Sequence, residues 1–204
     1  MTQSASFMSR LAGARPRVPS LQQMSREFSV PMVGARNVNA PAAVRVCGDW
    51  QPDLIISVYL NQRVGTRLIR MAQIGVINVH PAYLPRSRGL FPYFWALANG
   101  DAETGVTVHW VDARFDTGAI LVQEKLPITS DDTVISLAQK SAEMGAELLV
   151  RAVRLIERGD PPHMPQDTQR ATYHSWPTPM DVRRFTQRGK RYGSLRDMWH
   201  ELIG

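Results

Sequence analysis

The chain is 204 residues long and 44% hydrophobic. That is enough apolar side chain to bury a core, so a wholly disordered chain is excluded. No apolar run is long enough to span a bilayer, and the single cysteine, Cys47, excludes an internal disulfide framework. The net charge of +6 sits at the ends. Residues 1–26 hold four arginines and no acid, residues 181–204 hold six bases against three acids, and the stretch between them carries 14 bases and 15 acids. A phosphate-tracking domain would carry its excess charge on the folded body, and this body is neutral.

Residues 1–30 are rich in Ser, Arg and Pro and poor in periodicity, which predicts an irregular segment; an acid-free, Arg-rich start also fits an organelle-targeting peptide. Asp53 to Tyr59, short and branched-apolar, reads as a buried strand. Thr66 to Ala72 has helical spacing, with Gly75 as its stop. Val76 to His80 is a second short strand ending at Pro81, which cannot donate to a ladder. Phe91 to Ala98 reads as a short aromatic helix closed by Asn99-Gly100. Two strands follow, Val106 to Val111 and Ile120 to Leu126, around the loop Asp112 to Gly118. The longest helix comes next, with Ser130 as its N-cap, apolar residues from Val134 to Ile156 at three- and four-residue steps, and Gly159 at its C-terminal end. Past His163 the aromatics Trp176, Phe185, Tyr192 and Trp199 are too many for a free tail, so part of it is expected to pack back on the body.

Strands alternating with helices predict an α/β domain with a largely parallel sheet. Ligands of such sheets lie beyond the C-terminal strand ends, which directs attention to Val58–Val64 and Asn78–Gly89. Asn78 and His80 are two apart on one strand and so point the same way. A carboxamide donor, a titratable imidazole and the carboxylate of Asp116 in Phe115-Asp116-Thr117-Gly118 together suit attack on a carbonyl. The first two stabilise an oxyanion and the third orients His80 and receives a proton. Each piece alone is weak: Asn-x-His at a strand end is more often structural, and Asp-Thr-Gly is common in turns. A single Asp-Thr-Gly argues against an aspartic protease. His80, His109 and Asp116 have no recognised metal-ligand spacing.

The combination is more specific. Ile77-Asn78-Val79-His80-Pro81-Ala82-Tyr83-Leu84-Pro85-Arg86-Ser87-Arg88-Gly89, then Gly100 to Val111, then Phe115-Asp116-Thr117-Gly118, closely resembles the folate-dependent formyltransferases in order and spacing over residues 50–160. The resemblance implies a Rossmann-like formyltransferase fold, 10-formyltetrahydrofolate as formyl donor, no metal, and Asn78, His80 and Asp116 as catalytic residues. It implies that Gln62, Arg63 and Val64 form one wall of the folate pocket, and that Val111, Asp112, Ala113 and Phe115 form the other. Asn61, Pro81, Arg86 and Arg88 are the candidate acceptor-binding residues, with solvated loop arginines an equal reading for the last two. The domain organisation expected is an irregular segment over 1–30, a catalytic domain over 31–160 and an extension over 161–204 packed on it.

Family members open with a strand and a glycine-containing turn, and nothing before residue 50 resembles that unit. The expectation is therefore an N-terminally shortened form whose first remaining strand exposes apolar surface. Methionyl-tRNA formyltransferases carry an additional C-terminal domain that 45 residues after Gly159 are too few to build, so a tRNA acceptor is disfavoured. The favoured acceptor is a small-molecule amine such as an amino sugar or a nucleotide-linked amine. A 10-formyltetrahydrofolate hydrolase and a non-catalytic folate-binding remnant are the alternatives. A cytoplasmic protein without membrane association is expected, and a homo-oligomer stays open.

Overall fold

The computed structural model describes residues 19–194 and residue 197. Residues Asn37–Tyr192 form one compact unit, and the described residues outside that range belong to a second. In the second unit, Leu21–Glu27 is a helix (α1) started by a reciprocal cap. The Ser20 hydroxyl accepts from the Gln23 amide at 3.2 Å and the Gln23 side chain accepts from the Ser20 amide at 2.7 Å. The expectation of an irregular 1–30 is corrected there, because Ser20 and Gln23 have the right spacing to satisfy two orphan amides. Residues 1–18 lie outside the described residues, and so does Trp199.

The larger unit begins with α2 (Pro41–Asp49), whose Pro41 occupies a first-turn position that needs no N–H. It continues through β1 (Leu54–Val58), α3 (Thr66–Ile69), β2 (Gly75–His80), β3 (Arg88–Gly89), α4 (Pro92–Asn99), β4 (Glu103–Trp110), β5 (Ile120–Pro127) and α5 (Val134–Glu157). After a short 3₁₀ turn at Thr168–Arg170, β6 (Tyr173–His174) and α6 (Pro179–Gln187) complete it. The four-stranded sheet has the order β1-β2-β4-β5, and β3 pairs with β6 in a separate parallel ladder. The α/β class holds, and strand direction refines it. The β1–β2 pair is parallel, joined by the helical crossover through α3, while β2–β4 and β4–β5 are antiparallel. The short connection from Trp110 to Ile120 permits only a hairpin, so the parallel expectation applies to the β1–β2 half.

Alternation on β2 sorts the two faces. Ile77 and Val79 join Val106, Val108, Leu148, Ala152 and Ile156 in the core under α5. Gly145 on α5 permits the approach, because a Cβ there would lie 2.9 Å from the Tyr59 hydroxyl and 3.0 Å from Val79. Val76, with Val64, Leu68 and Ala72, packs on the opposite face beside Val44, Cys47 and Ile55. Asn78 and His80 share Val76's parity and so emerge on that second face, away from α5. A third cluster joins Phe94 and Leu97 of α4 to Leu126, Leu137 and Phe185. Phe94 and Phe185 are 0% and 1% exposed and stack 4.7 Å apart, so the segment after α5 packs against the unit through α6. At β1, which forms one edge of the sheet, Ile56 and Val58 are 43% and 51% exposed.

Two boundaries differ from expectation. The N-cap of α5 is Thr133, not Ser130: the Thr133 hydroxyl accepts from the Ser136 amide at 3.0 Å, and the Ser136 hydroxyl returns the bond. Either residue type suits a cap, and the choice falls where the extended backbone ends. Gly75 does not stop a helix, since α3 already ends at Ile69; it opens β2 at φ +139°, with the Trp110 ring 3.0 Å from where a Cβ would sit. Among the described residues no helix is long and apolar enough to cross a membrane.

Candidate active site

The site begins with a register. β2 pairs β4 so that Asn78 lies opposite His109 and His80 opposite Thr107. Asn78 and His109 therefore meet across the strands, with Asn78 Nδ2 3.3 Å from His109 Nε2. The other ring nitrogen, His109 Nδ1, donates to the Trp110 carbonyl at 2.7 Å, so Nε2 is the ring nitrogen that faces both Asn78 and Asp116. Asn78 Oδ1 is buried and has no partner among the described residues.

His80 ends β2 and is 4% exposed. Its Nε2 lies 2.9 Å from the Ser87 carbonyl and must carry the proton, since a carbonyl only accepts. In the neutral ring, Nδ1 then presents a lone pair to Asp116 Oδ2 at 3.6 Å. Burial pushes the His80 pKa below its ordinary value, partly offset by the Asp116 charge. Buried Thr107 fixes the loop that leaves His80: its hydroxyl donates to the Ala82 carbonyl at 2.7 Å and accepts from the Leu84 amide at 3.1 Å.

Asp116 comes from the β4–β5 loop and is 9% exposed. Its Oδ2 accepts from the Gly89 amide at 2.8 Å, and its Oδ1 lies 3.4 Å from His109 Nε2. Burial raises its pKa, but His80, His109 and the Gly89 amide outweigh that and hold the carboxyl down to about 2. The group is an anion at neutral pH. Its backbone is left-handed, φ +52°, a conformation that costs a non-glycine residue energy unless the surroundings impose it. Three contacts impose it. Asp112 Oδ1 accepts from the Arg114 amide and the Thr117 hydroxyl. Gln166 Nε2 donates to the carbonyls of Asp116 and Gly118. Gly118 runs so close to the Trp110 carbonyl that a Cβ there would collide with it.

Two clefts meet at Asn78, His80, Gly89 and Leu90. The first is lined by Gln62, Arg63 and Val64 on one side and by Val111, Asp112 and Phe115 on the other, with His109, Arg114 and Asp116. Ala113 does not line it; its carbonyl faces Arg63 Nη1 at 3.5 Å, a contact between the two walls. The second is lined by Asn61 and Pro81 together with Tyr59, Phe91, Tyr93 and Trp176.

The two candidate arginines belong to neither cleft. Arg86 is half-exposed and reaches Glu103 at 3.7 Å. Arg88 is held in the β3–β6 ladder opposite Tyr173, which sends its guanidinium to Gln166 Oε1 at 3.0 and 2.6 Å. Sequence reasoning weighed His109 only as a metal ligand and Trp176 only as a packing residue of the tail, and passed over Gln166. Alternation on Thr107-Val108-His109 marks His109 as sharing a face with Thr107, but only the register places it on Asp116. Nothing local marks Gln166.

The model of the formyl transferase family matches residues 5–153. The methionyl-tRNA formyltransferase of Syntrophus aciditrophicus (strain SB) is 34% identical over 155 residues, 76% of this chain and 50% of that protein. Its counterpart in Synechococcus sp. (strain JA-3-3Ab) is 46% identical over 121 residues, 59% of this chain and 38% of that one. The chain thus spans half the length, or less, of these curated relatives. Among solved structures, the sugar 3N-formyl transferase WlaRD, crystallised with dTDP and 5-N-formyl-THF, aligns over 77% of this chain and 53% of its own, at 21% identity and a TM-score of 0.62. The formyltransferase PseJ of Anoxybacillus kamchatkensis, in complex with a UDP-linked sugar and tetrahydrofolate, aligns over 78% and 82% at 22% identity and a TM-score of 0.57. HypX of Aquifex aeolicus, in complex with tetrahydrofolic acid, covers 68% of this chain and 24% of its own, at 22% identity and a TM-score of 0.62. At these identities the solved structures establish a common fold, and with the family model matched across most of its length, the chain belongs to the formyl transferase family.

Proposed function

We propose that the chain transfers a formyl group from 10-formyltetrahydrofolate to the amine of a small-molecule acceptor, with Asn78, His80 and Asp116 as the catalytic residues. The observation that carries this reading is the junction of two clefts at Asn78 and His80, backed by an ionised, buried Asp116. A transfer between two bound molecules needs two approaches to one reacting centre, and this is where they meet.

The first cleft fits the folate. Its two walls face each other across the Arg63–Ala113 contact, and the buried Oδ1 of Asn78 has no partner among the described residues. Gln62, Arg63, Val64, Val111, Asp112 and Phe115 would hold it, with Ala113 contributing main chain, and when bound it supplies the formyl carbon. The Asn78 carboxamide would donate an N–H to the formyl oxygen as negative charge grows there. In the neutral ring, His80 Nδ1 is a lone pair that faces the Asp116 carboxylate at 3.6 Å. As the amine bonds to the formyl carbon and the bond from that carbon to the folate nitrogen breaks, the proton the amine releases is taken up at Nδ1, directly or through water, stabilised there by Asp116, and passed on to the departing folate nitrogen.

The second cleft supports a small acceptor. Tyr59, Phe91, Tyr93 and Trp176 form an aromatic wall suited to packing an apolar ring face, and no Lys, Arg, Asp or Glu lines it among the described residues. The amino-sugar acceptor expected from the sequence fits that wall. Methionyl-tRNA is the competing acceptor, favoured by the sequence relatives. Incubating the chain with 10-formyltetrahydrofolate and, separately, amino sugars, nucleotide-linked amino sugars and methionyl-tRNA, with product mass as the readout, decides between them. Formylated small amine is the expected product. Formate release with no amine present would identify a hydrolase, and folate binding without turnover a remnant.

A further inference from the structure

Gln166 lies beyond the stretch matched by the family model, which ends at residue 153, yet it touches the loop that carries Asp116. Its amide nitrogen donates to two carbonyls of that loop, Asp116 O at 2.9 Å and Gly118 O at 2.7 Å. Its amide oxygen accepts from Arg88 Nε at 3.0 Å and Nη2 at 2.6 Å. Both N–H groups of the carboxamide thus donate, and its oxygen accepts twice. The arginine fork also settles which end of the amide faces the loop, because a guanidinium accepts nothing.

The anchor on each side is firm. Two residues before Gln166, Met164 exchanges both backbone hydrogen bonds with Ile120, at 2.8 and 3.0 Å. Arg88 is fixed by the β3–β6 ladder and precedes Gly89, whose amide holds the Asp116 carboxylate. One arm of the structure thus grips the Asp116 backbone and the other its side chain, and Arg88 belongs to both. Asp116 needs such a grip, because its left-handed backbone is a conformation that a free loop would leave.

We propose that Gln166, oriented by Arg88, is a positioning residue for formyl transfer: it clamps the Asp116 loop so that the carboxylate faces His80 and His109. The segment that follows α5 is then part of the reacting machinery. The proposal rests on the role given to Asp116 above.

The test uses Gln166→Ala, Gln166→Glu and Arg88→Met in the full chain. Glutamate retains the acceptor for Arg88 but at neutral pH cannot donate to the two carbonyls, so it must fail if donation to the loop is the point. Two readouts are needed. The first is kcat and acceptor KM: both Gln166 variants are expected to lose at least 10-fold in kcat with acceptor KM within about twofold, and Arg88→Met a smaller part of that loss. The second is the NMR titration of the His80 ring, assigned with His80→Ala. It is expected to move to lower pH in Gln166→Ala, because the carboxylate that supports its proton has been displaced. A residue that only adds stability would leave the titration of a ring it does not touch unchanged. Wild-type kcat together with an unmoved His80 titration in Gln166→Ala overturns the clamp. If Gln166→Ala fails to fold, Arg88→Met decides: an unchanged kcat and His80 titration there overturn it equally. If the wild-type chain turns over no amine, the functional reading fails, and the His80 titration still decides the clamp.

Discussion

The two clefts that meet at Asn78 and His80 are held by different means. The first has a polar floor, a chain of Asn78, His109, Asp116 and His80 in which each group's position is set by hydrogen bonds. The second is aromatic, and its members are placed by packing: Phe91 stacks on Phe94 at 5.8 Å and leans on Trp176 at 5.4 Å, while Tyr59 and Tyr93 meet edge to face at 6.5 Å. The difference shows how a single fold divides its tasks. Directional bonds hold the groups whose proton states matter, and non-directional contacts shape the room for a molecule that must enter and leave.

That contrast can be broken at several points. The largest effect is expected where the aromatic side meets the core. Phe94→Ala removes a fully buried ring between Phe91 and Phe185 and should cost about 3–5 kcal/mol in urea unfolding. A loss under about 1 kcal/mol would mean that the aromatic wall does not depend on this cluster. On the polar side, His80→Ala and Asp116→Asn should each lower kcat on the order of 10²–10³-fold, about 2.7–4 kcal/mol. Near-wild-type turnover of either variant in the formyl-transfer assay refutes the assignment.

The pH dependence of stability follows from the same groups. His80 and Asp116 both have folded pKa values below their ordinary ones, so the unfolded chain takes up protons first as pH falls. Stability should be full above about 6.5, decline below it as His80 protonates in the unfolded chain, and decline again between about 4 and 2 for Asp116. The second step is on the order of 2 kcal/mol. Melting temperature against pH should show that step diminished in Asp116→Asn. It should not vanish, because Asp132 is also held down to about 2: burial opposes it, and Lys140, Thr129 and Ser136 outweigh burial. An unchanged acid step in the variant would mean that Asp116 is not stabilised as an anion. The smallest effect belongs to the rim. Trp176 is 54% exposed, and Trp176→Ala should raise acceptor KM about 3–10-fold while leaving folate KM unchanged. A rise in folate KM instead would erase the division between the clefts.

The strands and helices around the site were legible because their signals are local: the apolar run before Tyr59, Asn78 and His80 at a strand end, and the apolar stripe of the long helix. The pairing of Asn78 and His80 on one face follows from strand periodicity alone. Their approach to Asp116 was legible only through the resemblance, since no spacing links residue 80 to residue 116. The arginines show the converse, that a place in a motif does not fix where a long side chain reaches. Arg86 and Arg88 stand in a motif beside the site, but a β-ladder and a neighbouring glutamate turn their charges elsewhere.

By itself the amino-acid sequence determined the longer strands and helices between residues 53 and 157 and which residues can do carbonyl chemistry, because period, capping and side-chain functional groups are properties of neighbours in the chain. Tertiary structure decided the rest. The β2–β4 register put His109 against Asn78, the loop between β4 and β5 carried Asp116 between two imidazoles, and the segment after α5 brought Gln166 to the Asp116 loop and Trp176 to the second cleft. Apart from that of Asp116 with His109, those contacts join residues about 30 to 90 positions apart. Their energies exist only once the sheet has formed and the ends of those long loops have been brought together.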